Sequence, residues 1–231
     1  MIGILGGMGT QAGLDFCNKL AKLNRGKLDQ QYPMFVLYNK SNTPRRPENL
    51  EKYYNVLNEL VDGCKMLQKN KCKFIVMPCN TAHYWHEDIQ KKIKIPLLSM
   101  PKEVYLHTKK TCKNKSKIGI LCTEATLKTN VYNNYFDKNF KLISPEKKIQ
   151  KSSVNKSIKL VKMGKVKEAE IVLRTAIKYL IKKKCKKIIL GCTELPIAIF
   201  AYKSFKKAKE SKLFIDPNLL LAEVCMKRYK K

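Results

Sequence analysis

The chain has 231 residues, 44% hydrophobic and 29% charged, enough to bury a core as one large domain or two of about a hundred residues each. Lysine and arginine number 48 against 18 acidic residues, a formal net charge of +30. No apolar run is long enough for a membrane-spanning helix, and the nine cysteines are too dispersed for a disulfide-stapled scaffold.

Met1 leads straight into an apolar strand and a glycine turn, without a basic leader or cleavage site, so the expected location is cytoplasmic. In a reducing compartment most cysteines are free thiols, and Cys17, Cys64, Cys72, Cys112, Cys185 and Cys225 read as small buried hydrophobes. No Cys-x-x-Cys pair occurs and the three histidines are not at ligand spacing with cysteines, so no metal site is expected. The first strand breaks at Gly6-Gly7-Met8-Gly9, before a helix expected over about Gln11 to Leu23. Such a turn brings backbone N–H groups to an anion. It has neither the dinucleotide spacing nor the lysine of a nucleotide loop, and a small carboxylate suits it better than a pyrophosphate.

Phe35 to Tyr38 reads as the second strand, giving way to a loop from Asn39 to Pro47 that carries Pro44, Arg45 and Arg46. Arg46 either forks onto a carboxylate or is simply solvated, and the pattern does not decide between them. Leu57 to Leu67 has apolar residues at helical spacing. It leads into Phe74-Ile-Val-Met-Pro-Cys79, an apolar run followed by Asn80 and Thr81, residue types that cap helices. Cys79 is therefore expected at the carboxyl end of a parallel strand, where open α/β sheets bind ligands. Ile95 to Ser99 reads as a short strand near the first domain crossing.

The second half opens with a strand from Lys117 to Cys122 and a polar turn from Thr123 to Thr129. Val154 to Met163 reads as a helix stopped by Gly164, with Lys162 in its last turn, and Glu168 to Leu180 as another. Lys184 to Cys192 then aligns without a gap on Lys71 to Cys79, and Ile2-Gly-Ile-Leu5 recurs as Ile118-Gly-Ile-Leu121. The offsets, 113 from Cys79 to Cys192 and 116 from Ile2 to Ile118, nearly agree and argue for an internal duplication. Phe214-Ile-Asp216-Pro217 precedes a final helix, Leu219 to Tyr229, expected to pack back on the first half. The fold expected is α/β, two pseudo-symmetric domains with parallel sheets: residues 1–100 plus 212–231, and residues 101–211.

If the halves face each other, Cys79 looks across a cleft at Cys192. A thiol at a helix N-terminus has its thiolate favoured, so both are expected to titrate toward physiological pH. Two such groups flanking a small carboxylate suit stereoinversion: one takes a proton from a carbon and the other delivers one to the opposite face. Flanking N–H groups would stabilise the enediolate-like charge, and no cofactor is called for. Disulfide exchange would need the sulfurs in bonding contact. The lysine excess is scattered over every segment, and reads as a solvated surface that draws in anionic substrates rather than a nucleic-acid site.

At these residues the sequence resembles the aspartate/glutamate racemase family, particularly its aspartate racemase branch. The matches are Gly6-Gly7-Met8-Gly9, the Asn39 loop with Pro44 and Arg46, Pro78-Cys79-Asn80-Thr81-Ala82-His83, Thr123 with Thr126, Val161-Lys162-Met163-Gly164 and Gly191-Cys192-Thr193-Glu194. They run from the first strand to the last. The resemblance implies racemisation of a small acidic amino acid without pyridoxal phosphate, at a site between the domains, often in a homodimer. It matches Cys79 and Cys192 to the acid/base pair. Met8, Asn80, Thr81, Thr126 and Thr193 match substrate positions, and Arg46 and Lys162 the two cations near the side-chain carboxylate of aspartate. Thr10 stands where a proline is common, and Glu124-Ala125 where relatives often carry Thr-Gly. His83 and Glu194 are expected to orient turns rather than transfer protons. The alternatives are a glutamate racemase or related dicarboxylate isomerase and, in a different class, a basic nucleic-acid-binding protein on an inactive racemase-like fold.

Overall fold

In the computed structural model, residues 1–24, 28–46, 53–136, 139–200 and 212–230 are described. Pro47, the last residue of the expected arginine loop, lies outside them, as does residue 211 at the expected second boundary. The chain divides into two compact units, Met1–Glu103 with Asn218–Lys231, and Val104–Pro217.

The first unit alternates β1 (Ile2–Gly6), α1 (Thr10–Leu23), β2 (Phe35–Asn39), α2 (Tyr53–Lys69) and β3 (Phe74–Val76), then α3 (His86–Gln90) and the start of α4 (Met100–Thr111). β1 is central and buried along its whole length, which an uninterrupted apolar strand requires when helices cover both faces. It pairs in parallel with β2 and β3, in the order β2-β1-β3. The expected strand at Ile95 to Ser99 contributes one parallel bridge, Ile75 to Leu97, with the Ile75 N–H donating to Pro96 O at 2.8 Å. α2 covers one face through Leu57, Leu60, Cys64 and Leu67. On the other face Phe16 and Leu20 of α1 meet Leu221, Ala222, Cys225 and Met226 of the last helix.

The second unit runs β4 (Lys117–Cys122), α5 (Glu124–Lys128), α6 (Asn133–Phe136), β5 (Lys141–Ile143), α7 (Lys147–Ile149), α8 (Lys156–Lys162), α9 (Val166–Lys182), β6 (Lys187–Gly191), α10 (Leu195–Phe200) and β7 (Phe214–Ile215). A π-helical stretch, Gln150–Asn155, joins α7 to α8. All its strand pairings are parallel, in the order β5-β4-β6-β7. The two orders correspond: the glycine-bearing β1 and β4 are flanked by β2 and β5 on one side, and on the other by the strands that lead to Cys79 and Cys192. This is the two-sheet parallel α/β architecture expected.

The units change at 103/104 and 217/218, against the expected 100/101 and 211/212. The first crossing falls inside α4, three residues past the expected place. Phe214 and Ile215 pair with Ile188 and Ile189, which holds the chain in the second sheet until the last helix, α11 (Pro217–Tyr229), returns to the first unit. Among the described residues no helix is long and apolar enough to cross a membrane.

Candidate active site

In each unit the candidate residues cluster at the carboxyl edge of the sheet. β1 ends beside Asn39, with Gly6 and Asn39 in register, and the chain turns through Gly7, whose φ is +86°. Asn39 Nδ2 donates to Thr10 Oγ1 at 3.3 Å, which ties the glycine turn to the end of β2. Arg46 is docked rather than solvated: its Nη2 donates to Met8 O at 2.8 Å and its Nη1 to Pro44 O at 3.0 Å. Thr43 Oγ1 donates to Lys40 O at 2.8 Å, and the buried Lys40 ammonium pairs with Glu59.

β3 stops at Val76, three residues short of Cys79. Pro78 has no N–H to continue the ladder, and the Cys79 N–H turns back onto Met77 O at 2.8 Å. Cys79, Asn80 and Thr81 are buried. A 3-10 turn, Thr81–Trp85, follows in place of a long helix, and Asn80 has helical dihedrals and makes no side-chain cap.

His83 fixes this turn. Its Nε2 accepts the Met100 N–H at 3.0 Å, which leaves the ring proton on Nδ1 to donate to Cys79 O at 2.9 Å. Burial, then the neighbouring His86, pushes its imidazole from 6.5 down to about 4, so His83 is neutral and structural at physiological pH. The unfolded chain takes up this proton near 6.5 and the folded chain only near 4. The neutral ring's contribution to stability is thus complete above 6.5 and declines as pH falls toward 4, by about 3 kcal/mol in total. His86, also lowered chiefly by burial, adds in the same direction. Urea unfolding between pH 7 and 4.5 is expected to show this loss, and His83→Gln to flatten the curve while lowering stability at pH 7. An unchanged slope in the variant would exclude His83 as its source.

In the second unit Cys122 and Gly191 are in register, so the turns after β4 and β6 leave the same edge of the sheet. Thr123 caps α5, its hydroxyl accepting the Thr126 N–H at 3.2 Å and lying 3.0 Å from the Thr126 hydroxyl. Gln150 Nε2 holds the preceding backbone at Cys122 O at 2.8 Å, and Asn155 Nδ2 donates to Glu124 Oε1 at 2.9 Å. α8 ends in paired bonds, Lys165 N–H to Leu160 O at 2.9 Å and Gly164 N–H to Val161 O at 3.0 Å, which hold Lys162 in the last turn.

Cys192 directly follows β6 and is buried with Thr193 and Glu194. Its Sγ donates to Glu194 Oε2 at 3.0 Å, and Lys162 Nζ lies 3.5 Å from Glu194 Oε1. Thr193 Oγ1 is 3.5 Å from Oε2. Burial first, then the charge of Glu194, raises the Cys192 thiol well above its ordinary range, and Lys162 opposes them. The expectation that both thiols shift toward physiological pH is thus reversed for Cys192. The carboxylate two residues beyond the cysteine was visible in the sequence, but that it turns back onto sulfur was not. All nine cysteines are free thiols.

The family model of the Asp/Glu/Hydantoin racemases matches residues 5–225. Among solved structures, an aspartate racemase from Picrophilus torridus has a TM-score of 0.81 and 29% identity, covering 100% of this chain and 94% of that one. A broad-specificity amino-acid racemase from Bacillus subtilis, RacX, is 32% identical over 136 residues, 57% of this chain and 58% of the relative. A glutamate racemase from Sulfurihydrogenibium is 28% identical over 170 residues, 72% of this chain and 64% of that relative. The matches to these two curated relatives thus span less than two thirds of their lengths.

Proposed function

Since the chain belongs to the Asp/Glu/Hydantoin racemase family, we propose that it interconverts L- and D-aspartate with Cys79 and Cys192 as its acid/base pair. The observation that carries this reading is the repeated placement of the two thiols. Each is buried just beyond the carboxyl end of the strand beside the central glycine-bearing strand, and each is followed by small polar residues on a short helical turn.

In this reading the thiols address opposite faces of Cα. A thiolate on one face removes the Cα proton, and the thiol on the other supplies a proton with inversion. The carbanion's charge passes into the α-carboxylate, whose oxygens accept bonds from Asn80, Thr81, Thr126 and Thr193 and from backbone N–H groups of their turns. Arg46, held against Met8 O, and Lys162 attract the side-chain carboxylate. Stereoinversion by this route draws on no cofactor.

Two features support aspartate over glutamate. The first turn is Gly-Gly-Met-Gly and the second motif Gly-Cys-Thr-Glu, and the similarity to the Picrophilus torridus aspartate racemase extends over the whole chain. The test is turnover of L-aspartate and L-glutamate in deuterated water without added cofactor. D-aspartate carrying deuterium at Cα is expected, with glutamate at least about tenfold slower, the discrimination one methylene in a fitted pocket supplies. Inversion without solvent deuterium would exclude the two-base reading, and faster glutamate turnover would replace the substrate.

A further inference from the structure

Among the buried nucleophiles, Cys192 has a carboxylate partner whose geometry goes beyond orienting a turn. We propose that Glu194 is the proton-holding partner of Cys192: thiol and carboxylate share one dissociable proton and one negative charge, which Lys162 balances. The inference rests on the racemase reading above, and it assigns to Glu194 a positioning role that acts through sulfur.

The argument starts from distance. Sγ is 3.0 Å from Oε2, a donor–acceptor contact with the proton on sulfur and the carboxylate ionised. Both groups are buried. A thiolate and a carboxylate at this separation, away from water, repel strongly, so the state with both ionised is disfavoured, as in paired carboxylates. Burial raises the Cys192 thiol most, and the charge and hydrogen bond of Glu194 raise it further. Among the described residues, the charged groups that act on the Cys192 thiol are Glu194 and Lys162, the latter from the end of α8 and 3.5 Å from Oε1, while Cys192, Cys122 and Asp216 act on the buried Tyr132. Burial pushes the Tyr132 phenol far up, so it stays neutral.

A thiol held this way is a poor base until its proton leaves, and Oε2 is the acceptor in reach. When Cys192 serves as base, the Sγ proton passes to Oε2, leaving a thiolate beside a neutral carboxyl. The thiolate then takes the Cα proton, while Cys79 gives its thiol proton to the opposite face and is left as thiolate. The carboxyl proton returns to solvent and Cys79 regains one. In the reverse direction the same transfers run backwards from protonated Glu194. The pair carries one negative charge at the start and end of each turnover and none while both groups hold protons, an interval in which Cys79 is the thiolate.

Two measurements test this. The first uses the β-chloro derivatives of L- and D-aspartate, which lose chloride after one deprotonation at Cα and so need only the base on one face. Glu194→Gln keeps the shape but not the basicity. It is expected to slow elimination from one enantiomer, the one that Cys192→Ser also blocks, by about a hundredfold. Elimination from the other enantiomer should stay within about threefold. The slowed reaction should recover at alkaline pH, where solvent takes over the thiol proton. Equal slowing of both enantiomers, or of neither, overturns the proposal.

The second measurement needs no substrate: site-resolved alkylation of Cys192 by iodoacetamide against pH. Removing the carboxylate's charge is expected to lower the alkylation midpoint by about one pH unit or more. A neighbour that merely fills space would not produce a more acidic thiol together with a slower enzyme. An unchanged midpoint sinks the Cys192–Glu194 pair whatever the activity. A shifted midpoint in a protein that acts on neither chloroaspartate sinks the racemase reading instead.

Discussion

Serine at either Cys79 or Cys192 should lower racemisation by about a thousandfold or more, and the double replacement should be little worse than either single one. In the proposed mechanism each thiol has a task in every turnover, as base for one enantiomer and acid for the other. A serine hydroxyl ionises far less readily than a thiol, so the replacement removes the base and weakens the acid. Because the interconversion of enantiomers has an equilibrium constant of one, both directions fall together in kcat/KM. The effects do not add because the two groups act in series on one carbon. The replacements are nearly isosteric, and unfolding curves close to the parent's would show that lost turnover is not lost structure. Near-normal turnover in either variant would remove that cysteine from the mechanism.

Much of this was legible in the chain because the strands repeat. β1 and β4 are short apolar runs broken by glycine, and the runs leading to Cys79 and Cys192 align without a gap, so the duplication and the parallel sheets could be read from pattern alone. The rest was hidden for definable reasons. β5 is three residues long and only partly buried. The helical run from Lys147 to Lys162 is longer than apolar spacing predicts, because polar residues occupy part of its buried side. Ser153 Oγ bonds Val172 O at 2.6 Å and Ser157 Oγ bonds Ala169 O at 2.9 Å, carbonyls of α9. A count of apolar residues passes over such positions. At Cys192 a helix N-terminus, the feature visible in the sequence, does not govern the thiol. What sets the thiol is burial and a carboxylate brought back by the turn of Thr193 and Glu194.

The glycine turn is where one added methyl group should have the largest effect on the fold. At Gly7 a Cβ would lie 2.2 Å from the Lys40 carbonyl carbon, 2.4 Å from its oxygen and 2.6 Å from its nitrogen. These are backbone atoms at the end of β2, which cannot swing aside as a side chain would. The φ of +86° adds the cost of a conformation that alanine rarely adopts. Gly164, closing α8, separates the two contributions, since its φ is +77° but nothing lies within 4 Å of its Cβ position. Gly164→Ala is therefore expected to cost about 1 kcal/mol, the backbone strain alone. Gly7→Ala should cost about 3–5 kcal/mol, strain plus the work of parting β1 from the Lys40 backbone. The damage extends to the site, because Lys40 opens the loop that carries Arg46, and Met8 O is the carbonyl that Arg46 grips at 2.8 Å. A Gly7→Ala protein that still folds should show a KM raised about tenfold, while Gly164→Ala keeps the parent's value. Denaturant unfolding of the three proteins decides the matter, and equal losses in the two variants would show that backbone conformation, not the close approach of Lys40, demands glycine at position 7.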